Sequence, residues 1–375
     1  MSAATLQDQE GDKPPGPRPG PKRPWRVALL ANIKEHDWQL PPDLPPDFGA
    51  DYDYIETTNI IRAAIESDGH ETIFIQADCN LPYALQEIKP DICFNSAEGL
   101  GGDAREAQTP ALLELLRIPY TASRLLTNAI ALDKTLTKRI WRDRGLPVAP
   151  FQEFVTGDEP LRHDLRFPLF VKPAREGTGM GVDVKARVNN EAELRQRVRY
   201  VIKFYRQPAL VESYLPGREF TVGQLGRPDA KLHSRRPEWY EADGFHRLPI
   251  LELESSHSVT PGMFGHAAKS KTVGEEGAPE YLCPADVEPE LAKKLHHLAL
   301  RAHNAIGALD VSRVDFRLDA EGQPRLMEIN PLPGLTPGYS DICIQAAAEG
   351  TPYEDLILEI LYLGAGRWGL LEPRA

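Results

Sequence analysis

A chain of 375 residues has room for two or three domains at roughly 150 residues each, and its 41% hydrophobic and 26% charged content is that of a globular protein. With 43 Lys and Arg against 55 Asp and Glu the formal charge is −12. That excludes nucleic-acid wrapping, which draws its affinity from counterions displaced by basic side chains. No stretch approaches the roughly 18 apolar residues of a membrane span. Cys79, Cys93, Cys283 and Cys343 are too scattered for a disulfide scaffold or a zinc knuckle and read as reduced thiols of a cytoplasmic protein.

Residues 1–24 hold Pro14, Pro15, Pro17, Pro19, Pro21 and Pro24 without the apolar centre of a signal peptide, so a disordered tail is expected. Folding starts at Arg26-Val-Ala-Leu-Leu-Ala, a buried parallel strand by its continuous apolar run. Leu40-Pro-Pro-Asp-Leu-Pro-Pro-Asp47 reads as a surface loop. A helix over Thr57–Ser67, strands at Thr72-Ile-Phe-Ile and Asp91-Ile-Cys-Phe-Asn, and an apolar helix at Ala111–Leu116 complete a βαβ-type unit over residues 25–125. A second unit, 126–220, has a helix over Lys134–Arg144 ended by Gly145-Leu-Pro, a strand at Pro168–Lys172, a helix over Glu191–Phe204 and a strand at Ala209–Glu212. The third, 221–375, carries an amphipathic helix through Leu291, Leu295, Leu298 and Ala302. His257, His266, His296 and His303 are expected on the surface or in loops.

The segment from Leu309 to Pro333 carries the strongest chemical pattern. Period-two alternation in Val311-Ser-Arg-Val-Asp-Phe-Arg-Leu puts Arg313, Asp315 and Arg317 on one face and Val314, Phe316 and Leu318 on the other. Asp319-Ala-Glu-Gly322-Gln makes a turn, and in the return strand Leu326, Glu328 and Asn330 share a face, opposite Met327 and Ile329. A hairpin centred between Glu321 and Gly322 places Asp315 directly across from Glu328. Two carboxylates and a carboxamide form an all-oxygen cluster suited to Mg²⁺. Taken alone, such a hairpin is more often a solvated surface face; the rigid sequel Pro331-Leu-Pro-Gly334-Leu-Thr-Pro-Gly favours a site.

A glycine-rich stretch, Lys172-Pro-Ala-Arg-Glu-Gly-Thr-Gly-Met-Gly181, follows a strand. Glycines let backbone N–H groups approach a phosphate, and Thr178 adds a hydroxyl. It is neither a P-loop nor a G-x-G-x-x-G fingerprint, and a flexible turn is an equal reading of this stretch alone.

Together these pieces resemble the ATP-grasp superfamily, and within it the D-alanine–D-alanine ligase family, over roughly Val27 to Leu363. The resemblance rests on Asp133-Lys134 with Gly145-Leu-Pro-Val-Ala-Pro, Val171-Lys-Pro-Ala-Arg-Glu-Gly, Val211-Glu-Ser-Tyr-Leu-Pro-Gly-Arg-Glu-Phe-Thr-Val, and Arg313-Val-Asp with Met327-Glu-Ile-Asn-Pro-Leu-Pro-Gly-Leu-Thr. It implies an α/β chain (α+β in its later parts) with the ATP-grasp fold and a Rossmann-like N-terminal domain. It also implies a ligase of cell-wall biosynthesis that forms a peptide bond through an acyl phosphate. By resemblance Lys134 and Lys172 hold ATP phosphates under a loop from Glu176 through Gly177, Thr178 and Gly179 to Gly181. Glu212 and Leu215 contact adenine and Glu219 the ribose. Asp315, Glu328 and Asn330 bind a pair of Mg²⁺ ions (or Mn²⁺). Lys269 covers the transferred phosphate, Arg313 with the Gly334 N–H stabilises an oxyanion, and Thr178 is counted with the catalytic residues. The implied partners are small amino acids; a homodimer is left open.

The sequence departs from the family on the amino-acid side. The opening G-G-x-S-x-E segment is replaced by Ala31-Asn-Ile-Lys, and none of Asp51, Asp53 or Glu56 stands clearly at its glutamate. Glu98 occupies the place of a histidine, Lys269-Ser270 replaces a lysine–tyrosine pair, and Tyr339 or Ser340 stands where the second substrate's carboxylate is bound. A ligase with a different amino-acid or dipeptide substrate, and a nucleotide-binding protein without catalysis, are the alternatives. A nicotinamide dehydrogenase is disfavoured by the missing fingerprint after Val27–Ala31.

Overall fold

The computed structural model describes residues 23–34, 44–45, 47–259, 265 and 275–371. The proline-rich tail up to residue 22, Lys269, Ser270 and His266 lie outside the described residues.

The N-terminal sheet is parallel in the order β2 (Glu71–Gln76), β1 (Arg26–Ala31), β3 (Ile92–Ser96). Alternation in β1 sends Val27 and Leu29 to a core shared with Ile61 and Ile65 of α1 (Ile55–Glu66), and Ala28 and Leu30 to one shared with α2 (Leu81–Ile88) and α3 (Gln108–Leu116). Both faces are covered, which is why the strand reads as an unbroken apolar run. At the carboxyl end the Asn32 amide accepts from Gly99 N (2.8 Å) and donates to Ala77 O (2.8 Å), tying the three strand ends together.

Next come α4 (Leu125–Leu132) and α5 (Lys134–Asp143), then an antiparallel sheet in the order β4 (Phe151–Phe154), β7 (Ala209–Ser213), β5 (Leu169–Pro173), β6 (Arg187–Val188). Leu194, Val198 and Val201 of α6 (Glu191–Tyr205) pack on its Leu169, Val171 and Val211. Asn190 caps α6, its side chain accepting from Glu193 N at 3.0 Å.

The last sheet runs β11 (Glu280–Leu282), β10 (Leu251–Glu254), β8 (Glu219–Gly226), β12 (Val311–Leu318), β13 (Pro324–Asn330), with β9 (Phe245–Arg247) also on β8. Its apolar face, Phe220, Val222, Val314 and Phe316, packs on α7 (Pro289–Ile306) and on Trp141 of α5. Glu219 and Phe220, counted with the second unit in the sequence, therefore belong to the third sheet. His303 also differs from its sequence expectation. It follows Ala302 on the buried flank of α7, is 1% exposed, meets Ser312 Oγ at 2.7 Å, and burial pushes its imidazole down to about 3. Two short helices close the chain, α8 (Asp341–Ala348) and α9 (Tyr353–Arg367).

Helix α9, apolar except for Glu354, Asp355, Glu359 and Arg367, returns to the N-terminal domain, its Leu356, Ile357, Leu361 and Leu363 entering the core of Val27, Ile61 and Phe94. Buried charge stitches the same junction. Asp310 accepts from Arg227 (2.8 Å) and from Arg367 (2.9 Å), and Arg367 also donates to Tyr120 O and Ala122 O. Asp310→Ala leaves the Arg367 guanidinium without its anion in the interior and Arg227 with Asp229 alone, so the unfolding free energy should fall by about 3–5 kcal/mol. Urea denaturation measures it; a loss under about 1 kcal/mol contradicts the assignment.

Candidate active site

Helix α5 begins at Asp133, whose carboxylate accepts from Leu136 N at 2.8 Å, and it places Lys134 and Lys138 one turn apart on one face. Lys138 Nζ lies 3.0 Å from the Glu212 carboxylate and 3.0 Å from Leu326 O; Lys172 Nζ is 2.8 Å from the other Glu212 oxygen. Burial alone would raise the Glu212 carboxyl, but the two ammonium groups outweigh it and hold the group at about 2. Lys172 is raised despite burial because Glu212 and Glu328 face it. Lys134 lies 3.2 Å from Glu328 and donates to Glu176 O. Lys138 is the residue that sequence reading missed; its one available signal was the four-residue spacing from Lys134. The Glu212 carboxylate, assigned to adenine by resemblance, is here engaged by two lysines. Leu215 lies half-buried in the turn between β7 and β8.

The hairpin has the expected register where it matters: Asp315 faces Glu328 and Arg313 faces Asn330. The strand faces need correction beyond that point. The ladder slips between Asp315 and Phe316, so Phe316 faces Leu326 and Met327 is the extra residue. Leu326 thereby joins Val314, Phe316 and Ile329 in the core, while Met327 turns to the hollow that Glu328 lines. Two outside groups hold the bulge: Lys138 on Leu326 O and Pro147 O on Leu326 N (2.9 Å). Thr221 of β8 donates to Asp315 at 2.8 Å.

Two hollows flank this hairpin. One is lined by Lys134, Lys172, Glu176, Gly179, Glu219, Asp315 and Glu328. The other is lined by Thr178, Arg313, Gly334, Tyr339, Ser340 and Asp341. Arg313 stands between Asp315 (2.7 Å) and Asp341 (2.9 Å), which raise its guanidinium against the opposing effect of burial. Ser340 Oγ accepts from Thr336 N at 2.9 Å, fixing the turn after Gly334, while Tyr339 is 41% exposed. Asn330 leaves its Nδ2 buried without a hydrogen-bond partner.

The glycine-rich loop is left-handed at Thr178, Gly179 and Gly181, with φ of 49°, 66° and 73°. At its near end the Glu176 carboxylate accepts from Gln207 (2.6 Å) and pairs with Arg105 (3.3 Å). Arg105 also pairs with Asp51 at 2.8 Å, so its close ion partners are Asp51 and Glu176, not Glu98. Glu98 follows β3 as expected; burial, then Glu106 and Asp51, raise its carboxyl well above the usual range. Nearby Asp53 is pushed up to about 7 by burial and Asp51, against Lys34.

The family model described as "D-ala D-ala ligase C-terminus" matches residues 140–362. The D-alanine–D-alanine ligase of Halorhodospira halophila is 34% identical over 92% of this chain and 97% of its own length. The chain belongs to the D-alanine–D-alanine ligase family. The Ruegeria family member is 33% identical over 73% of this chain and 79% of its own length, and the uncharacterised protein y4sG of Sinorhizobium fredii is 33% identical over 82% and 87%. A crystal structure of the Bacillus anthracis ligase complexed with ATP superposes with a TM-score of 0.68 at 21% identity, covering 92% of this chain and 99% of that one, which establishes the ATP-grasp fold. By family this chain is an ATP-dependent carbon–nitrogen ligase.

The lysine pair gives this family member a pH signature. Glu212 contributes stability that is complete above its unfolded value near 4.5 and is lost as pH falls toward about 2. Lys138→Met leaves Glu212 one cation and should cost about 3 kcal/mol at pH 7, the deficit shrinking as pH falls from 4.5 toward 2. Denaturation at both ends of that window tests it; an equal deficit throughout contradicts the pairing.

Proposed function

We propose that the chain joins two amino acids, D-alanine in both places, through an acyl phosphate made at the expense of ATP. The observation that carries this reading is the register that sets Asp315 against Glu328 beside a hollow floored by Lys134 and Lys172. Asp315, Glu328 and the Asn330 carbonyl form an all-oxygen donor set, and the two carboxylates already attract cationic groups, which fits Mg²⁺. Bound there, magnesium would neutralise charge on the transferring phosphoryl group. Lys134 and Lys172 would hold phosphate oxygens, and Glu219 and the glycine-rich loop would border the nucleotide. Lys269 is assigned to the phosphate cover by sequence alone.

A carboxylate is a poor electrophile, so phosphorylation comes first; the second amine then attacks and inorganic phosphate leaves. Arg313 and the Gly334 N–H share the second hollow with Thr178 and would hold the oxyanion of the tetrahedral intermediate there. Tyr339 would meet the second substrate, and Ser340, whose oxygen accepts from Thr336 N, would still have its O–H to donate to that substrate's carboxylate. Glu98, with Asp53 near it, would take the first substrate's ammonium group. That acidic surrounding also favours the second reading, a ligase for a different first amino acid. In the first reading the dipeptide would serve cell-wall synthesis in the cytoplasm.

Phosphate release from ATP, measured with D- and L-amino acids singly and in pairs, tests the proposal. D-alanine should give the highest rate and ligated dipeptide; turnover with no amino acid in the panel would sink it. Glu328→Gln should abolish turnover with the melting temperature kept, and near-wild-type turnover in saturating Mg²⁺ would remove the hairpin from the site. Glu98→Gln should raise the Michaelis constant for the first amino acid by roughly 10- to 150-fold, the equivalent of one charge-assisted hydrogen bond, with that for ATP within about twofold. Equal effects on both substrates would take Glu98 out of the pocket.

A further inference from the structure

The proline-rich stretch after β1 ends in an acid that the ligation scheme leaves unused. Asp47 Oδ2 accepts from Gly181 N at 2.7 Å, and both carboxylate oxygens accept from Tyr205 Oη, at 2.9 and 3.0 Å. Gly181 is the last glycine of the glycine-rich loop, and Tyr205 is the last residue of α6. Burial, then the Asp47 carboxylate, raise the Tyr205 hydroxyl far above its usual range, so it stays a donor. Gly181 O accepts from Arg197 of α6 at 2.6 Å, so both backbone groups of this glycine are fixed. The position admits no side chain: φ is +73°, and a Cβ would fall 2.4 Å from Pro173 Cγ and 3.2 Å from Tyr205 Cζ.

The opposite end of the loop is anchored to the N-terminal domain as well. Arg105 donates to Arg175 O at 2.9 Å and pairs with Glu176 at 3.3 Å. Between these anchors a Cβ on Gly177 would meet nothing within 4 Å, so the loop's tip has space that its ends lack. A loop pinned at both ends loses less conformational freedom when its amides close on a ligand, and the difference appears as affinity. Pro45, with its fixed φ, lies two residues before Asp47 and stiffens the arm that carries it.

We infer that Asp47 is a positioning residue for the nucleotide: from the N-terminal domain, it holds the far end of the glycine-rich loop in the conformation that receives phosphate. The inference rests on the reading of that loop as a phosphate cover. It also makes Asp47, which follows the stretch where the family's opening motif would continue, part of the nucleotide side of the enzyme.

The test uses the full chain and its Asp47→Ala and Tyr205→Phe variants, with hydrogen–deuterium exchange of residues 176–182 without nucleotide and Michaelis constants for ATP and for each amino acid. Asp47→Ala should speed exchange at Gly181 and raise the constant for ATP, each by about tenfold, as expected on losing a charge-assisted hydrogen bond. The amino-acid constants should stay within about twofold, and exchange in β1–β3 should be unchanged. Tyr205→Phe, which leaves the Gly181 bond in place, should do the same to a smaller degree. Unchanged exchange at residues 176–182 in Asp47→Ala overturns the inference. So does a parallel rise in every Michaelis constant with faster exchange in β1–β3, the mark of a general structural role. Wild-type protein that binds no ATP would overturn the phosphate reading of the loop itself.

Discussion

Glu212 sits on β7 with Lys172 at one oxygen and Lys138 at the other, and this buried chain is what lets two sheets meet around a charged floor. A carboxylate or an ammonium group taken out of water alone is strongly disfavoured; here the two ammonium groups hold Glu212 charged, while burial and the neighbouring Lys172 still lower Lys138. Lys172 and Glu212 come from adjacent antiparallel strands, where Phe170 is the partner of Glu212, so they stand as a diagonal pair. Lys138 comes from α5 and also holds Leu326 O on β13. A single ammonium group thus fixes the central sheet, the helix and the bulged strand relative to one another.

The bulge follows from that constraint. Placing Glu328 opposite Asp315 while sending both Leu326 and Ile329 into the core requires one residue more than plain alternation allows between them, and Met327 is that residue. Its backbone irregularity is stabilised by Lys138 and by Pro147 rather than by strand pairing. The hairpin can therefore present acids to a hollow on one side and pack aliphatic side chains against α7 on the other.

Much of this was legible before any coordinates. Alternation and a hairpin centred between Glu321 and Gly322 point to the Asp315–Glu328 pair. The ladder nearest the turn is instead centred on Glu321, with Leu318 opposite Pro324, and only the bulge at Met327 restores that pair. The bulge was invisible, since Leu326, Met327 and Ile329 are all apolar and either face suits them by composition. Nothing local beyond its spacing from Lys134 singles out Lys138, since a lysine on a helix is ordinarily solvated, and only the fold brings Glu212 to it. Helix α9 drew no expectation from the sequence, and which core it enters depends on a return across the whole chain. Arg105 and Asp47 lie far in sequence from the loop they hold, and no local pattern marks such long-range pairing. Least legible are Glu98, Tyr339 and Ser340, the residues proposed to meet the amino acids, because the sequence departs from the family pattern there and they lie outside the strands.

The central claim is that this hairpin and its lysines carry phosphoryl transfer to a carboxylate. Positional isotope exchange tests it most directly: ATP labelled with oxygen-18 in the β–γ bridge is incubated with enzyme, Mg²⁺ and a single amino acid, and the label is followed by phosphorus NMR. Reversible acyl-phosphate formation frees the β-phosphate to rotate, so the account predicts migration of the label into the β non-bridging positions, dependent on the amino acid. Dipeptide formation with the label retained in the bridge would contradict it.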